Sequence, residues 1–599
     1  MCGIVGYVGN KNAINVLMSG LKTLEYRGYD SAGIAYITGN RVEIIKTAGK
    51  VKSLQNKIKR GVSSNIGIGH TRWATLGKPN TLNAHPHRVG KFTIVHNGII
   101  ENYDALKKLL KDSGYKFKSE TDSEIIAGLL DKLYKEKSDI LKVLKQTKKL
   151  LIGSYALGIL CDDYKDTLFA IRKDCPLIVG IGENENFIAS DVPAILKYTD
   201  KYIIVEDEII EINDKVNIYN DKLEPIDKEL IIFEGTIVEA EKDGYDHFML
   251  KEIHEEPEAF KNTVHPFLKY ETESLLENMP NFKKYNKITI IGCGSAYHAG
   301  IIGKDLIEKY GDITTNVYIA SEFRYQKAFY DEKTLVILIS QSGETADTLA
   351  CLRKVKQLGL DTLAIVNVVG SSLAREADKT IYIKAGPEIS VATTKAYICQ
   401  ISILSLIALT IGYDKKLIND KKAKEIIKLF YDAPEIMESI INKDYKFISK
   451  KLYKKNSCFY IGRGIDYAVC LEGALKLKEI SYIITLAYPA GELKHGTISL
   501  IEKGTNVIAV VTDKNISEKT ISNIKEVKAR GAFVTLIITD KLDGDFSWAD
   551  NKVVIPETND FIKPIIASIP LQLIGYETAK LKGCEIDTPK NLAKSVTVE

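Results

Sequence analysis

The last two-thirds of the chain repeats itself, and this repeat restricts the fold more than any other sequence feature. Four pairs of segments match in their pattern of residues: 290–297 with 460–467, 320–324 with 490–494, 334–340 with 505–511, and 361–368 with 532–539. All pairs lie about 170 residues apart, so one register runs through both copies. Strand-like and helix-like segments alternate, which predicts two α/β domains with parallel sheets. No dinucleotide site is predicted, because both copies lack the third glycine of that fingerprint.

Composition narrows the class of protein. With 599 residues, the chain needs two to four domains. The net charge of +4 is small for this length and predicts no nucleic-acid partner. The most apolar helix candidate, 401–411, is well short of the ~20 residues that span a bilayer. Nine cysteines without CxxC pairs indicate neither a zinc site nor disulfides. We therefore expect a cytoplasmic protein with no membrane partner, metal or other cofactor.

The two copies differ where the first carries hydroxyl residues. After a strand, the first copy reads Ser340, Gln341, Ser342, Gly343, Glu344 and Thr345, and a helix follows. Hydroxyls and free N–H groups at a helix N-terminus can hold a phosphate, although a serine-rich helix cap uses the same residue types. Four hydroxyl residues in nine favour the phosphate. The second copy has 512–515 (TDKN) at this place, which predicts one phosphate site per chain.

The second copy carries candidate acid–base groups instead. Glu472, Lys476 and Glu479 share one helical face. An exposed ladder of salt bridges is the simplest interpretation of that spacing. His495 follows in a glycine-flanked loop, where a histidine is usually an exposed surface residue without a functional role. Lys594 lies in a polar C-terminal segment that could be a disordered tail.

The first third of the chain has a different pattern of predicted strands and helices. Residues 1 to about 235 contain short β-like runs (4–8, 31–37, 66–70, 92–96, 155–161 and 167–172) separated by glycine-rich turns. Helical stretches are expected near 101–112 and 121–135. This pattern predicts an α+β domain with mostly antiparallel sheets.

Cys2 is the most reactive candidate in this third. Removal of Met1 would give one residue both a thiol and a free α-amine, and the amine can accept the thiol's proton. The alternative is a small residue at the start of a buried strand.

Four motifs accompany Cys2 in order. They are Met1-Cys2-Gly3-Ile4-Val5-Gly6, Tyr26-Arg27-Gly28-Tyr29-Asp30-Ser31-Ala32-Gly33, His70-Thr71-Arg72-Trp73-Ala74-Thr75 and His96-Asn97-Gly98. Together they resemble the class II (N-terminal nucleophile) glutamine amidotransferase domain. This resemblance implies hydrolysis of glutamine to glutamate and delivery of ammonia to a second domain.

The resemblance also assigns roles. Cys2 would attack the glutamine side-chain amide, and the Asn97 side chain and Gly98 N–H would stabilise the oxyanion. Arg72 would bind the α-carboxylate and Asp122 the α-ammonium. The remaining pocket residues implied are Trp73, Thr75 and Arg27. One departure is visible at 75–77, where Thr-Leu-Gly stands in place of the common Thr-His-Gly.

The repeated part resembles the paired sugar isomerase (SIS) domains of the glutamine–fructose-6-phosphate aminotransferase (isomerizing) family. The segments that carry the resemblance are 340–345, 472–481, 492–496 and the C-terminal nonapeptide. The implied reaction converts fructose 6-phosphate and glutamine into glucosamine 6-phosphate and glutamate, the first step of hexosamine biosynthesis. Two departures appear, at Ser295-Ala296 and at Thr393, which keeps a hydroxyl.

By this resemblance, Ser340, Gln341, Ser342 and Thr345 hold the sugar phosphate, and Thr393 is a further substrate-binding residue.

The implied acid–base roles lie in the second copy and the tail. His495 would open the sugar ring, and Lys594 would approach or form an imine with the C2 carbonyl. Glu479 would move a proton between C1 and C2. Glu472 and Lys476 would support this site.

The predicted architecture has several domains. An α+β class II glutaminase domain (1–235) and a linker (236–250) precede two α/β SIS domains with parallel sheets (280–420 and 450–590). A tail (591–599) would close over the sugar. We expect a homodimer and a closed route for ammonia gated by Trp73.

Alternative functions are less compatible with the residues. Amidophosphoribosyltransferase and asparagine synthetase would need nucleotide or pyrophosphate loops that are missing here. A sugar-phosphate sensor would have no use for Cys2, and a deglycase-like relative would normally lack the nucleophile domain.

Overall fold

The computed structural model describes residues 2–39, 41–233, 242–269, 276–327 and 330–597. Residues 236–241 of the predicted linker and 598–599 of the predicted tail lie outside the described residues. The chain divides into two compact units. Unit 1 contains the described residues 2–233 and 593–597, and unit 2 contains those of 242–592.

Unit 1 is built on antiparallel strands. They are β1 (Gly3–Gly9), β2 (Ser31–Thr38), β3 (Arg41–Ala48), β4 (Ile66–Arg72), β5 (His87–Val89), β6 (Phe92–Ile100), β7 (Gly153–Cys161), β8 (Tyr164–Lys173), β9 (Ile178–Ile181), β10 (Glu185–Ala189), β11 (Lys201–Ile204), β12 (Ile209–Ile212), β13 (Val216–Tyr219) and β14 (Ile231–Ile232). Its helices are α1 (Ala13–Thr23), α2 (Val51–Gln55), α3 (Tyr103–Asp112), α4 (Asp122–Lys137) and α5 (Ile140–Leu150). Each predicted strand overlaps an observed one.

These strands form two sheets that pack face to face. One sheet has the order β14-β11-β9-β10-β1-β4-β2-β3, and the other β13-β12-β8-β7-β6-β5. Side chains from both sheets, such as Ile68 and Ala156, share one apolar cluster between them. Helices α1 and α2 cover the outer face of the first sheet, and α3, α4 and α5 cover that of the second. The α+β prediction is confirmed.

Unit 2 repeats one α/β pattern. Its strands are β15 (Lys287–Gly292), β16 (Thr314–Ile319), β17 (Thr334–Ser340), β18 (Asp361–Val366), β19 (Lys379–Tyr382), β20 (Ser457–Gly462), β21 (Ile484–Pro489), β22 (Asn506–Val511), β23 (Phe533–Thr539) and β24 (Asn551–Ile555). Its helices are α6 (Phe248–His254), α7 (Glu256–Val264), α8 (Ser295–Gly311), α9 (Ala320–Phe323), α10 (Ala346–Gln357), α11 (Ser372–Glu376), α12 (Lys395–Asp414), α13 (Asp420–Ile441), α14 (Lys446–Leu452), α15 (Ile465–Ser481), α16 (Ser517–Ala529) and α17 (Lys563–Lys582).

The two sheets of unit 2 are parallel and have the same topology. Their orders are β16-β15-β17-β18-β19 and β21-β20-β22-β23-β24. The central strands are continuous apolar runs because helices cover both faces, as in β17, where every residue is buried. The prediction of two α/β domains with parallel sheets is confirmed.

One large core joins the two repeats. Apolar residues of α8, α12, α15 and α17 belong to a single cluster that includes side chains of both sheets. Among the described residues, α12 is the one helix long and apolar enough to cross a membrane, but 94% of its apolar window is buried inside the fold. Helix α12 therefore serves as a core helix here.

Candidate active sites

Cys2 lies immediately before β1, which runs through the first sheet of unit 1 between β10 and β4. Its Sγ accepts a hydrogen bond from the backbone N–H of Trp73 at 3.3 Å. Burial raises the pKa of the Cys2 thiol, while the Trp73 N–H and the Arg72 guanidinium act in the opposite direction. The thiol thus needs a local base to become a thiolate near neutral pH.

Asn97 and Gly98 lie on β6, opposite Cys2. Asn97 Nδ2 donates to the carbonyl oxygen of Cys2 at 3.0 Å. Gly98 has φ +127°, and a Cβ there would lie 2.0 Å from the carbonyl oxygen of Ser154. Only glycine fits this strand position. A side-chain amide therefore faces the reacting residue, as an oxyanion hole requires.

Arg72 is the last residue of β4 and is almost fully buried. Its guanidinium donates to the carbonyl oxygens of Leu76, Gly77 and Lys78. These contacts hold the loop that follows Trp73. The planar guanidinium carries five N–H donors, so it suits a carboxylate in this pocket.

Asp122 opens α4, where the helix dipole favours negative charge. Its Oδ2 accepts the N–H of Ile100 at 2.9 Å, and its Oδ1 accepts the Ser123 hydroxyl at 3.3 Å. The carboxylate is 4% exposed. Burial lowers the pKa of Arg72, and the charges of Cys2 and Asp122 act in the opposite direction. Arg72 therefore lies near both the Cys2 thiol and the Asp122 carboxylate, and a guanidinium and a carboxylate together can bind the two charged groups of an amino acid.

The other predicted pocket residues differ in their surroundings. Trp73 is half-buried and Thr75 is exposed in the loop after β4. Arg27 is buried and pairs with the carboxylate of Asp191 at 2.7 Å. That ion pair anchors the turn before β2.

The sequence did not predict that four histidines would form a buried cluster. It consists of His70, His85, His87 and His96. His70 stacks on His85 with ring centroids 4.0 Å apart. His70 Nε2 lies 3.0 Å from Asn97 Oδ1 and 2.9 Å from the carbonyl oxygen of His96. Neither oxygen carries a hydrogen, so the Nε2–H donates to both.

Burial keeps these rings neutral. It lowers the pKa of His70 to about 3 and the pKa of His85, His87 and His96 below their usual value. A neutral His70 has a fixed tautomer and holds Asn97 Oδ1, which turns Asn97 Nδ2 towards Cys2. The sequence signal was the density of histidine between 70 and 96.

The predicted phosphate loop follows β17 in unit 2. Ser340 Oγ lies 2.9 Å from Thr345 Oγ1 and accepts the N–H of Gly343 at 3.0 Å. Ser342 Oγ accepts the N–H of Glu344 at 3.2 Å. The strand order reverses between β15 and β17, and ligands of such sheets bind at this edge. Thr345 precedes α10 as its N-cap.

Two further predicted substrate-binding residues lie in unit 2. The backbone carbonyl oxygen of Gln341 accepts the N–H of Asn367 at 3.1 Å. Thr393 is half-buried in the segment before α12.

At the equivalent position of the second repeat, a buried carboxylate accepts backbone N–H groups. Asp466, whose counterpart is Ala296, is 2% exposed. Its carboxylate accepts the N–H of Thr512 at 2.7 Å and that of Asp513 at 3.4 Å. Burial raises the pKa of Asp466 to about 6. In the second repeat, a carboxylate of the protein thus accepts these N–H groups, at the position where the first repeat has the 340–345 loop.

The acidic ladder of α15 is buried, so the interpretation as an exposed ladder of salt bridges is wrong. Lys476 Nζ lies 2.8 Å from Glu479 Oε2 and 3.3 Å from Glu472 Oε1. The side chains of Glu472, Lys476 and Glu479 are 2%, 1% and 19% exposed. Burial alone would lower the pKa of Lys476, but the two carboxylates raise it above its usual value. Helix α15 faces α8 and α17, which explains the burial.

Two residues of α8 reach this ladder from the first repeat. Ser295 Oγ donates to Glu472 Oε1 at 2.8 Å, and His298 Nδ1 lies 2.8 Å from Glu472 Oε2. The sequence analysis missed His298. The sequence feature that could have indicated His298 is a polar side chain about one helical turn after the glycine-rich end of β15.

The two remaining predicted acid–base residues are His495 and Lys594. His495 ends a short 3-10 turn after β21 and is exposed, with no hydrogen bond to any part of the chain that the structure describes. Lys594 is half-buried in the segment grouped with unit 1. The structure gives no contact between His495 and the ladder of α15.

Family models match both parts of the chain. A model described as SIS domain matches residues 281–410 and 451–581. A model described as glutamine amidotransferase domain matches residues 80–197. Among the described residues, no group of three or more acidic, histidine or cysteine side chains could hold a metal ion.

Named relatives match over the whole length. A glutamine–fructose-6-phosphate aminotransferase (isomerizing) from Caldanaerobacter subterraneus subsp. tengcongensis is 48% identical, and one from Clostridium acetobutylicum 47%, with 100% of each chain covered. The solved C-terminal domain of glucosamine-fructose-6-phosphate aminotransferase from Francisella tularensis is 40% identical with a TM-score of 0.56. The match covers 58% of this chain and 99% of that one.

The fold and the matched domains define an amidotransferase joined to a double SIS module. Full-length identity of 48% narrows this class further. The chain belongs to the glutamine–fructose-6-phosphate aminotransferase (isomerizing) family.

Proposed function

We propose that this chain transfers the amide nitrogen of glutamine to fructose 6-phosphate and isomerises the product to glucosamine 6-phosphate, releasing glutamate. The observation that carries this proposal is that one chain contains both a cysteine facing an amide donor and, in unit 2, a buried carboxylate–lysine ladder and a hydroxyl-rich loop. Relatives of this name share its full length. The product would enter hexosamine biosynthesis.

The glutaminase half would run on Cys2. Its thiol proton passes to the free α-amine, and the thiolate attacks the amide carbon of glutamine. Asn97 Nδ2 and the Gly98 N–H stabilise the oxyanion, and ammonia leaves as the thioester forms. Water then releases glutamate. Arg72 and Asp122 hold the α-carboxylate and the α-ammonium during these steps.

The sugar half would run in unit 2. The 340–345 loop holds the phosphate, Thr393 contributes a hydroxyl to the sugar site, and His495 opens the ring. Lys594 approaches or forms an imine with the C2 carbonyl, and ammonia takes its place to give fructosimine. Glu479 removes a proton from C1 and returns one to C2, which places the amine on C2 and the carbonyl on C1.

Glu472 and Lys476 keep that carboxylate in place. Lys476 Nζ contacts Glu479 directly at 2.8 Å, and this contact orients the carboxylate that would accept the proton.

Coupling between the two halves follows from the chemistry of ammonia. In water at neutral pH ammonia is mostly protonated and not nucleophilic. We infer a closed route gated by Trp73 and sealed by the tail 591–599. We further propose a homodimer in the cytoplasm, which light scattering and cell fractionation test.

The decisive experiment compares wild type with Cys2→Ala. Wild type makes glucosamine 6-phosphate from fructose 6-phosphate and glutamine. Cys2→Ala loses this activity and keeps synthesis from ammonium salts, because only the glutaminase half is removed. If wild type hydrolyses glutamine and makes no amino sugar, the acceptor is wrong.

A further inference from the structure

The carboxylate of Glu472 joins the two repeats of unit 2. It belongs to α15 of the second repeat and receives both donors of α8 in the first, Ser295 Oγ and His298 Nδ1, each at 2.8 Å. The Glu472 side chain is 2% exposed, and that of His298 is 13% exposed. A buried carboxylate needs such donors, since an unpaired charge is costly inside a protein.

The ladder holds two carboxylates and one ammonium group. Lys476 lies closer to Glu479 (2.8 Å) than to Glu472 (3.3 Å). Burial would raise the pKa of Glu472, but Lys476, His298 and Ser295 together lower it below its usual value. His298 therefore supplies part of the stabilisation that Lys476 alone would otherwise have to give to Glu472.

Among the described residues, few other groups on the neighbouring elements can stabilise the charge of Glu472. The charged or titratable side chains that face Glu472 are Lys476 on α15, His298 on α8 and Tyr397 on α12. Tyr397 is fully buried, and burial raises its pKa well above the usual value, so it stays neutral. Ser295 and His298 are thus the two groups of the first repeat that donate to this carboxylate, and His298 is the one that can also carry a positive charge.

His298 also has a defined place in the first repeat. It follows β15 by one helical turn, and β15 pairs with β17, whose end carries the predicted phosphate loop. One short stretch of α8 therefore lies between the sugar-phosphate side and the acid–base helix.

We propose that His298 is a positioning residue for the sugar reaction. It holds Glu472, which keeps Lys476 on Glu479 and fixes the orientation and charge of the proton-transferring carboxylate. This inference rests on the proposed function of Glu479. It adds a requirement that both repeats cooperate through one hydrogen bond.

The test compares His298→Ala with His298→Asn in ammonia-dependent synthesis of glucosamine 6-phosphate. Removal of the donor lowers kcat about 10- to 100-fold, the usual effect of leaving a buried charged acceptor unmet. The KM for fructose 6-phosphate stays within about threefold, because the phosphate loop is untouched. Asparagine, which keeps an N–H near the Nδ1 position, restores most of kcat. The acidic limb of the kcat–pH profile moves to higher pH in His298→Ala, because Lys476 shifts towards Glu472.

Controls separate this inference from the proposed function. His254→Ala removes a half-buried histidine of α6 in the same unit and leaves all these values unchanged. If His298→Ala fails to fold, a double-mutant cycle of His298→Leu, which removes the donor and keeps most of the side-chain volume, with Glu472→Gln replaces it, and non-additive effects are expected. Unchanged kcat and pH profile in folded His298→Ala, or additivity in the cycle, overturns the positioning role. Absence of product from wild type overturns the proposed function instead.

Discussion

At the residue scale, the amide of Asn97 is held at both ends. Nδ2 donates to the Cys2 carbonyl oxygen, and Oδ1 accepts from His70 Nε2. An amide without this second contact could rotate and present oxygen to the developing oxyanion, which repels it. In the proposed mechanism, the buried and neutral His70 therefore orients the amide of the oxyanion hole.

We expect His70→Leu to lower the kcat of glutamine hydrolysis about 100-fold, comparable to removal of one oxyanion donor. His70→Gln, whose Nε2 can donate at the same place, retains most of the activity. Ammonia-dependent amino-sugar synthesis serves as the internal control and stays unchanged in both variants. Equal loss in the two variants would show that the ring acts by packing and not by its N–H group.

At this scale, the sequence indicates the identity of residues more readily than their contacts. Cys2, Arg72 and Asn97 are predicted site residues because each lies in a contiguous motif, and their catalytic roles stay predictions. His70–Asn97 and His298–Glu472 join residues 27 and 174 positions apart. Such contacts depend on which strands and helices are neighbours, and a single sequence does not contain this information.

At the element scale, α8 and α15 are counterparts with different first turns. Asp466 in α15, the counterpart of Ala296 in α8, accepts the N–H groups of Thr512 and Asp513 with its carboxylate. The hydroxyl content predicts a phosphate loop in the first repeat and none in the second. The burial of the α15 ladder was not, because alternating charges at i, i+4 and i+7 look the same on an exposed helix.

Asp466 gives unit 2 a defined pH dependence. Its pKa is raised from 3.8 to about 6 in the folded protein, so its contribution to stability is complete below about pH 4 and is lost as pH rises through 6. Between pH 5.0 and 7.5 we expect wild type to lose about 1.4 kcal/mol of unfolding free energy relative to Asp466→Asn. Denaturant unfolding of both proteins at the two pH values measures this difference. Parallel pH dependence in the two proteins would contradict the assignment to Asp466.

At the scale of the whole molecule, the chain consists of two units with separate cores. The change from antiparallel to parallel sheets was predictable from the sequence, because short β-like runs give way to alternating strands and helices at a constant spacing. The shared core of the two repeats was not, because duplicated domains can also fold independently.

Each unit would carry one half of the proposed reaction, so coupling is a property of the intact chain. We expect fructose 6-phosphate to raise the rate of glutamine hydrolysis by wild type at least about tenfold, since efficient hydrolysis without an acceptor would waste ammonia. Coupled measurement of glutamate release with and without the sugar tests this. Glucose, which lacks the phosphate, is the matched control and gives no increase. An equal glutaminase rate in all three conditions would argue against coupling.

The core that α12 shares with α17 also has a consequence for biosynthesis. Helix α12 leaves the ribosome more than 150 residues before α17, and until then part of its apolar surface has no permanent cover. The sheets of unit 1, in contrast, are complete once residue 232 has emerged. Nascent chains should therefore contain a folded N-terminal unit while the second unit still depends on chaperones.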